Sequence, residues 1–290
     1  MTFQEKLAQH AATVQTHLDQ ALAQMGDNSV VHGMRYALRG GKRLRAFLVM
    51  ESAAIYDLPH SQSIWPAAAI EAIHAYSLVH DDLPCIDDDD LRRGQPTVHK
   101  KWNEATAVLV GDALQSLGFE LVLNPYCSPV ADLRAELALH LARAAGAAGM
   151  VLGQAQDMAA ETAPMPLDLE QVTELQKGKT GALISWSAQA GAILAQEDPA
   201  PLARYSAALG LGFQITDDIL DVEGDPQKTG KRLQKDANAG KATFVSLLGL
   251  TGAKQRANEL IQEACDAVTP LGKKAEPLQH CANFIISRER

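Results

Sequence analysis

The chain has 290 residues, 47% of them hydrophobic and 5% aromatic, with a net charge of −9. That length allows one or two domains around a large core, and the acidic balance argues against a nucleic-acid partner. Cys85, Cys127, Cys265 and Cys281 form no C-x-x-C pair and read as free thiols in a reducing cytoplasm, and no apolar run of about 18 residues or a secretory pattern at Met1–Leu22 predicts a membrane span or a signal.

Abundant alanine and leucine favour helix over sheet. Without an internal repeat or a Pro- or Ser-rich linker, the chain reads as one all-helical domain over residues 1–290. An amphipathic helix is expected over 3–24. Asp27-Asn28-Ser29 offers caps for a second helix, with Val30, Met34, Ala37 and Leu38 on one stripe and Gly40-Gly41 as its stop. Lys42-Arg43-Leu44-Arg45 then precedes the apolar run Ala46 to Ile55. Two glycines and a basic cluster at a helix start suit an anion, or simply a solvated turn.

Pro66 fits the first turn of the next helix. On it Glu71, His74, Ser77 and Asp81 recur at spacings of three and four and share a face. At its end stands the stretch His80 to Gly94, with six aspartates within ten residues and then Arg92-Arg93. The helix macrodipole is already negative there. Folding alone does not favour such a cluster, and all-oxygen donors point to magnesium rather than zinc; a solvated acidic loop is the plainer reading. Asp81 and Asp87 differ in direction by roughly 120° on an ideal helix. Pro84 also makes an unbroken helix unfavourable, so a bulge over Leu83–Ile86 is expected to turn Asp87 back toward Asp81.

A helix over 103–123 contains Gly111-Asp112, and residues 131–158 are expected as one helix with Gly149, Gly153, Gln154 and Asp157 on a polar stripe. Interior glycines there imply close packing or a nearby ligand. Asp168-x-x-Gln171 has the pattern of a capping box. Lys177-Gly178-Lys179-Thr180-Gly181 interrupts the helix it opens and lacks the spacing of a Walker loop. After Asp198-Pro199 a helix runs to Gln214 and Asp217-Asp218-x-x-Asp221, where Asp217 and Asp221 lie on one face about 6 Å apart. Asp218, offset by about 100°, is free to cap or pair elsewhere. Residues 224–241 are rich in glycine and lysine, a candidate lid over an anion or a solvated turn. Two or three helices follow, with a break near Pro270 to Pro277.

Two aspartate pairs and six cations, Lys42, Arg45, Arg92, Arg93, Lys179 and Lys231, suit two diphosphates with hydrocarbon tails. In order, Gly40-Gly41-Lys42-Arg43-Leu44-Arg45, Asp81-Asp82-x4-Asp87 with Arg92-Arg93-Gly94, Lys179-Thr180-Gly181, and Phe213-Gln214 with Asp217-Asp218-x-x-Asp221 resemble the bacterial farnesyl diphosphate synthases, short-chain trans-polyprenyl diphosphate synthases. The resemblance runs from Val31 to the C-terminus.

It implies an all-α, isoprenoid synthase-like bundle of ten or more helices around a deep central cavity, usually a cytoplasmic homodimer. It implies that Asp81, Asp87 and Asp217 ligate magnesium, three ions in all, with Asp82 and Asp221 in support. Arg92, Lys179, Thr180, Gln214, Lys231 and Lys241 would bind the allylic diphosphate, and Lys42, Arg45, His74 and Arg93 the isopentenyl diphosphate. Asp81, Asp87, Arg92, Lys179 and Asp217 would carry the catalysis, with Tyr76 and Ser77 setting chain length. A geranyl or geranylgeranyl diphosphate synthase is the nearest alternative. A class I terpene cyclase, a non-catalytic subunit of a heteromeric synthase and an acidic calcium-binding module are the rivals from other classes. Two departures stand out: Ala46, where the family often has Pro, and Ala242-Thr243-Phe244-Val245, where a Ser/Thr-Tyr-Pro pattern is usual.

Overall fold

A computed structural model describes residues 2–223 and 242–287. Lys228, Lys231 and Lys241, with the proposed lid over 224–241, lie outside the described residues. As the composition leads one to expect, the described chain is all-α apart from two short strands. It forms two compact units, Met1–Leu139 with Ile193–Gln196, and His140–Ala192 with Glu197–Arg290.

In the first unit, α1 (Phe3–Ala23) starts at Thr2, whose hydroxyl accepts from the Glu5 amide while the Glu5 carboxylate accepts from the Thr2 amide. This reciprocal cap satisfies two amides that the first turn leaves without partners. Leu7, Val14, Leu18 and Leu22 form its buried stripe. Asn28 caps α2 (Ser29–Ala37) by accepting from the Val31 amide at 3.0 Å. The stripe of α2 centres on Val31, Met34 and Leu38; Val30 is only half-buried. Then come α3 (Leu44–Ile55) and α4 (His60–Asp81), the latter buried along nearly its whole length.

Pro66 departs from expectation. It lies inside α4, which starts at His60 behind an extended Pro59. Proline there removes one amide donor from the helix, and the ring is itself buried.

The hairpin β1 (Leu91–Arg92) and β2 (Gln95–Pro96) turns through Arg93 (φ 53°) and Gly94 (φ 73°). Two successive left-handed residues match the twist of a two-residue hairpin loop. The short α5 (Val98–Lys101) leads into α6 (Glu104–Leu123), whose Asn103 cap accepts from Thr106. Helix α6 lies against α4 at Gly111, where an added Cβ would stand 2.0 Å from His80 Nε2. His80 Nε2 instead meets the Val108 carbonyl at 3.1 Å.

Helix α7 (Ala131–Ala145) straddles the division between the units. The expected single helix over 131–158 is in fact two: Gly149, at φ −145° and ψ −117°, breaks the chain before α8 (Met150–Glu161). The stretches Glu104–Leu123 and Ala131–Glu161 are long and apolar enough by composition to cross a membrane. The first, however, buries Ala107, Val110, Leu114, Leu117 and Leu121 within the protein.

The second unit continues with α9 (Leu169–Gln176), opened by the Asp168–Gln171 capping box in full. A π-turn (Lys177–Gly181) links it to α10 (Ala182–Ala195). Then follow α11 (Ala200–Glu223), α12 (Phe244–Val268), two 3₁₀ turns over 269–275, and α13 (Glu276–Ser287). Inside α12 Gly249 takes φ 69° and kinks the helix. Buried Tyr205 on α11 donates to the Leu278 carbonyl at 2.8 Å and ties α11 to α13.

Candidate functional site

One group of predicted site residues sits at the C-terminal end of α4. The helix stops at Asp82, and the chain folds back through Leu83–Ile86 until the Asp87 amide donates to the Asp81 carbonyl at 2.9 Å. Asp88 (φ 47°) completes the return, its amide bonding to the Leu83 carbonyl. The expected bulge is therefore present, and it places the backbones of Asp81 and Asp87 side by side. Both residues are half-exposed.

Asp82 differs from them. It is 3% exposed, and Nε of Arg92 donates to its Oδ1 at 2.9 Å, with Nη2 as a second donor to the same atom. Burial pushes the Asp82 carboxyl above the usual carboxylate range; the Arg92 pair opposes this and does not cancel it. Burial also works to lower the Arg92 pKa, but Asp82 wins and holds the guanidinium protonated. The register of the hairpin sets this contact, since Arg92 sits in β1 opposite Gln95 while Arg93 takes the turn.

Arg93 lies over the glycine pair. Its Nη1 donates to the Arg39 carbonyl at 2.9 Å, and a Cβ on Gly41 would stand 2.8 Å from its Nη2. Gly41 also has φ +84°, and it is this left-handed backbone that favours glycine, since the Arg93 guanidinium is the end of a flexible side chain that could shift. Gly40, Gly41, Asp82, Arg92 and Arg93 line a cavity of about 610 Å³. Lys42, Arg45 and His74 are not among its lining side chains. His74 is held well below the usual imidazole range, first by burial and then by Arg45, Arg93, Arg43 and Arg92. A neutral ring can still donate one N–H to an anion. Tyr76 is 5% exposed, with its phenol hydrogen-bonded to Gln115 and its ring edge-on to His80 at 5.8 Å. Ser77 is also buried and donates to the His74 carbonyl.

A second group of predicted site residues lies within the other unit, on the π-turn and α11. A π-turn widens the helix and is common at functional positions. Here it nests against α8: a Cβ on Gly153 would stand 2.1 Å from the Lys179 amide nitrogen. Close packing is thus the reason for that interior glycine. Lys179 Nζ pairs with Asp157 Oδ2 at 2.6 Å. The Thr180 hydroxyl lies 3.0 Å from Gln176 Oε1 and 3.3 Å from Gln214 Oε1. Gln214 in turn donates to Asp218 Oδ1 at 2.9 Å, and Asp218 Oδ2 accepts from the Phe244 amide at 2.8 Å. Asp218 is therefore a buried tie between α11 and the start of α12, and Asp217 and Asp221 remain half-exposed.

Four features escaped sequence reasoning: the Asp82–Arg92 pair, the Lys179–Asp157 pair, and the placement of Arg43 and Glu71. Asp157 had a signal, since it shares the stripe of Gly153 and Gln154.

Among the described residues no three His, Cys, Asp or Glu side chains form a cage able to hold a metal. The carboxylates present still fit magnesium, which is bound by one or two carboxylates with water and substrate phosphate oxygens.

A family model described as polyprenyl synthetase matches residues 28–278. The chain belongs to this family. It is similar to the polyprenyl synthetase relative named farnesyl diphosphate synthase of Escherichia coli, with 44% identity over 270 residues and 90% of each chain covered. It is also similar to the crystal structure of an FPP/GFPP synthase from Zymomonas mobilis, with 42% identity, a TM-score of 0.87, and 96% of this chain and 98% of that one covered. A geranyltransferase of Helicobacter pylori complexed with magnesium and isoprenyl diphosphate matches at 31% identity and TM-score 0.81, covering 99% of this chain and 97% of that one.

Proposed function

We propose that the protein is a short-chain trans-prenyltransferase that condenses dimethylallyl and geranyl diphosphates with isopentenyl diphosphate and stops at farnesyl diphosphate. One observation carries the reading: the return at Leu83–Ile86 sets the backbone of Asp81 beside that of Asp87, both residues half-exposed, while Asp82 is turned inward onto Arg92. Folding alone gives no reason to sort the aspartates so. Polyprenyl synthetase relatives at 42–44% identity bear farnesyl or FPP/GFPP synthase names, which supports the product.

Asp81, Asp87 and Asp217 would hold three magnesium ions, as Lewis acids toward the diphosphate leaving group. The protein's own groups account for the rest. Arg92, kept charged by Asp82, and Lys179 draw the allylic diphosphate and stabilise the charge that grows on it as its C–O bond breaks. Thr180 and Gln214 present oxygens near the π-turn, fixed through Asp218. Those dipoles suit a developing allylic cation. Lys42, Arg45, Arg93 and neutral His74 hold isopentenyl diphosphate so that its double bond is the nearest nucleophile. Loss of a proton to the departed diphosphate completes the bond. Lys231 and Lys241 are assigned to the allylic diphosphate from their sequence positions.

We read residues 1–290 as one polyprenyl synthase domain, because the family match runs through both compact units. We assign it as a cytoplasmic homodimer without a membrane span. Exposed Leu109, Leu123, Tyr126, Val130 and Leu139 on and beside α6 and α7 support the dimer.

The test is incubation of the protein with dimethylallyl and isopentenyl diphosphates and magnesium, followed by chromatography of the products. A fifteen-carbon diphosphate is expected. Absence of magnesium-dependent condensation would refute the reading.

A further inference from the structure

Arg43 stands between Lys42 and Arg45, the two cations assigned to isopentenyl diphosphate, yet it is itself buried, 5% exposed. Its backbone is left-handed (φ 55°, ψ 37°) at the start of α3, a conformation that L residues with long side chains adopt at a cost. Its side chain reaches three elements. Nη1 donates to Glu71 Oε2 on α4 at 3.0 Å, Nη2 to Gln15 Oε1 on α1 at 2.9 Å, and Nη2 also to the Leu38 carbonyl at the end of α2. Glu71 has a second contact: its Oε1 accepts from the Ala46 amide at 3.0 Å. Both members of the ion pair are 3% exposed at the side chain.

One ion pair therefore grips both ends of the segment that carries the glycine pair and its flanking cations. At one end it holds the Leu38 carbonyl, at the other the Ala46 amide. Both Glu71 oxygens are engaged, so its negative charge is neutralised beside a site meant for an anion. The Ala46 arm depends on a particular residue type, because proline has no amide hydrogen.

We propose that Arg43 and Glu71 are positioning residues for the isopentenyl diphosphate subsite, fixing Lys42, Arg45 and the Gly40-Gly41 turn from behind. Ala46 supplies a second tether to the same carboxylate. This rests on the prenyltransferase reading above, whose own failure would show as a wild-type protein without condensation activity.

Glu71→Gln tests it sharply, because an amide has a single acceptor oxygen. It can serve the Ala46 amide or the Arg43 guanidinium, and its NH₂ then opposes the other donor. In an active protein, Glu71→Gln and Arg43→Lys should each raise KM for isopentenyl diphosphate at least tenfold. KM for geranyl diphosphate should stay within twofold and kcat within threefold. The double variant should be no worse than the poorer single, because the two act as one unit. Ala46→Pro keeps the ion pair and removes one tether; it should raise the same KM two- to fivefold. If Glu71→Gln does not fold, Arg43→Lys and Ala46→Pro carry the test. An unchanged KM for isopentenyl diphosphate in these variants, or an equal rise in both KM values, would overturn the proposal.

Discussion

Replacing Gly153 with alanine should damage the enzyme although it improves the helix. In an exposed helix interior, alanine is favoured over glycine by about 1 kcal/mol. At this position the new Cβ would stand 2.1 Å from the Lys179 nitrogen, 2.6 Å from its Cα and 2.8 Å from the Gly178 carbonyl carbon. All three are backbone atoms, so no side-chain rotation relieves the contact. Opening 2.1 Å to an ordinary ~3.5 Å approach requires α8 and the π-turn to separate by roughly 1.4 Å. Overpacking of this kind costs about 1–3 kcal/mol, so a net loss of about 0–2 kcal/mol is expected after the propensity gain. Activity should suffer more than stability. Lys179 and Thr180 sit on the displaced turn, and a misplacement of about 1 Å costs on the order of 10²-fold in rate. Urea denaturation with an unchanged slope and kcat with geranyl diphosphate would measure the two effects. A stabilised variant with wild-type kcat would refute the close approach and the role given to the π-turn.

Tyr76→Ala should lengthen the product beyond fifteen carbons, because it removes a buried ring anchored by Gln115; unchanged product length on chromatography would contradict the assignment. Gly41→Ala should cost about 1–2 kcal/mol from its left-handed backbone, and raise KM for isopentenyl diphosphate by displacing Arg93; kinetics with that substrate check it. Glu51 is buried, which works to raise its pKa, but hydrogen bonds from His10 and Lys6 win and hold it below the usual carboxylate range. Its folded pKa thus lies below its unfolded one. The stabilisation is complete above the usual carboxylate range and is lost as pH falls through the folded pKa. Glu51→Gln should therefore lose about 3 kcal/mol at neutral pH, and its stability should vary less than wild type in the acid range, as denaturation at both pH values would show.

Local chemistry that depends on neighbours in the sequence was legible. The Asn28 cap, the Asp168–Gln171 box, the π-turn glycines and the return forced between Asp81 and Asp87 all follow from backbone preferences within a few residues. Asp218 also behaves as its 100° offset implies, turning away from Asp217 to cap α12. What escaped depends on contacts distant in sequence. Nothing near Arg43 announces that Glu71 will neutralise it, and nothing near Arg92 says that its closest partner among six aspartates will be Asp82, with Asp89 a second at 3.5 Å. Pro66 differs for another reason: the helix already starts at His60, so the proline falls inside it and removes one amide donor rather than opening the first turn.

The central claim, transfer of a prenyl group by ionisation of an allylic diphosphate, is most directly tested by stoichiometry. Pyrophosphate release from geranyl and isopentenyl diphosphates should be followed together with the mass of the hydrocarbon product. The account predicts one pyrophosphate for each farnesyl diphosphate formed, and neither when magnesium is chelated. Release that yields geraniol or a cyclic hydrocarbon without a fifteen-carbon diphosphate, or no release at all, would contradict it.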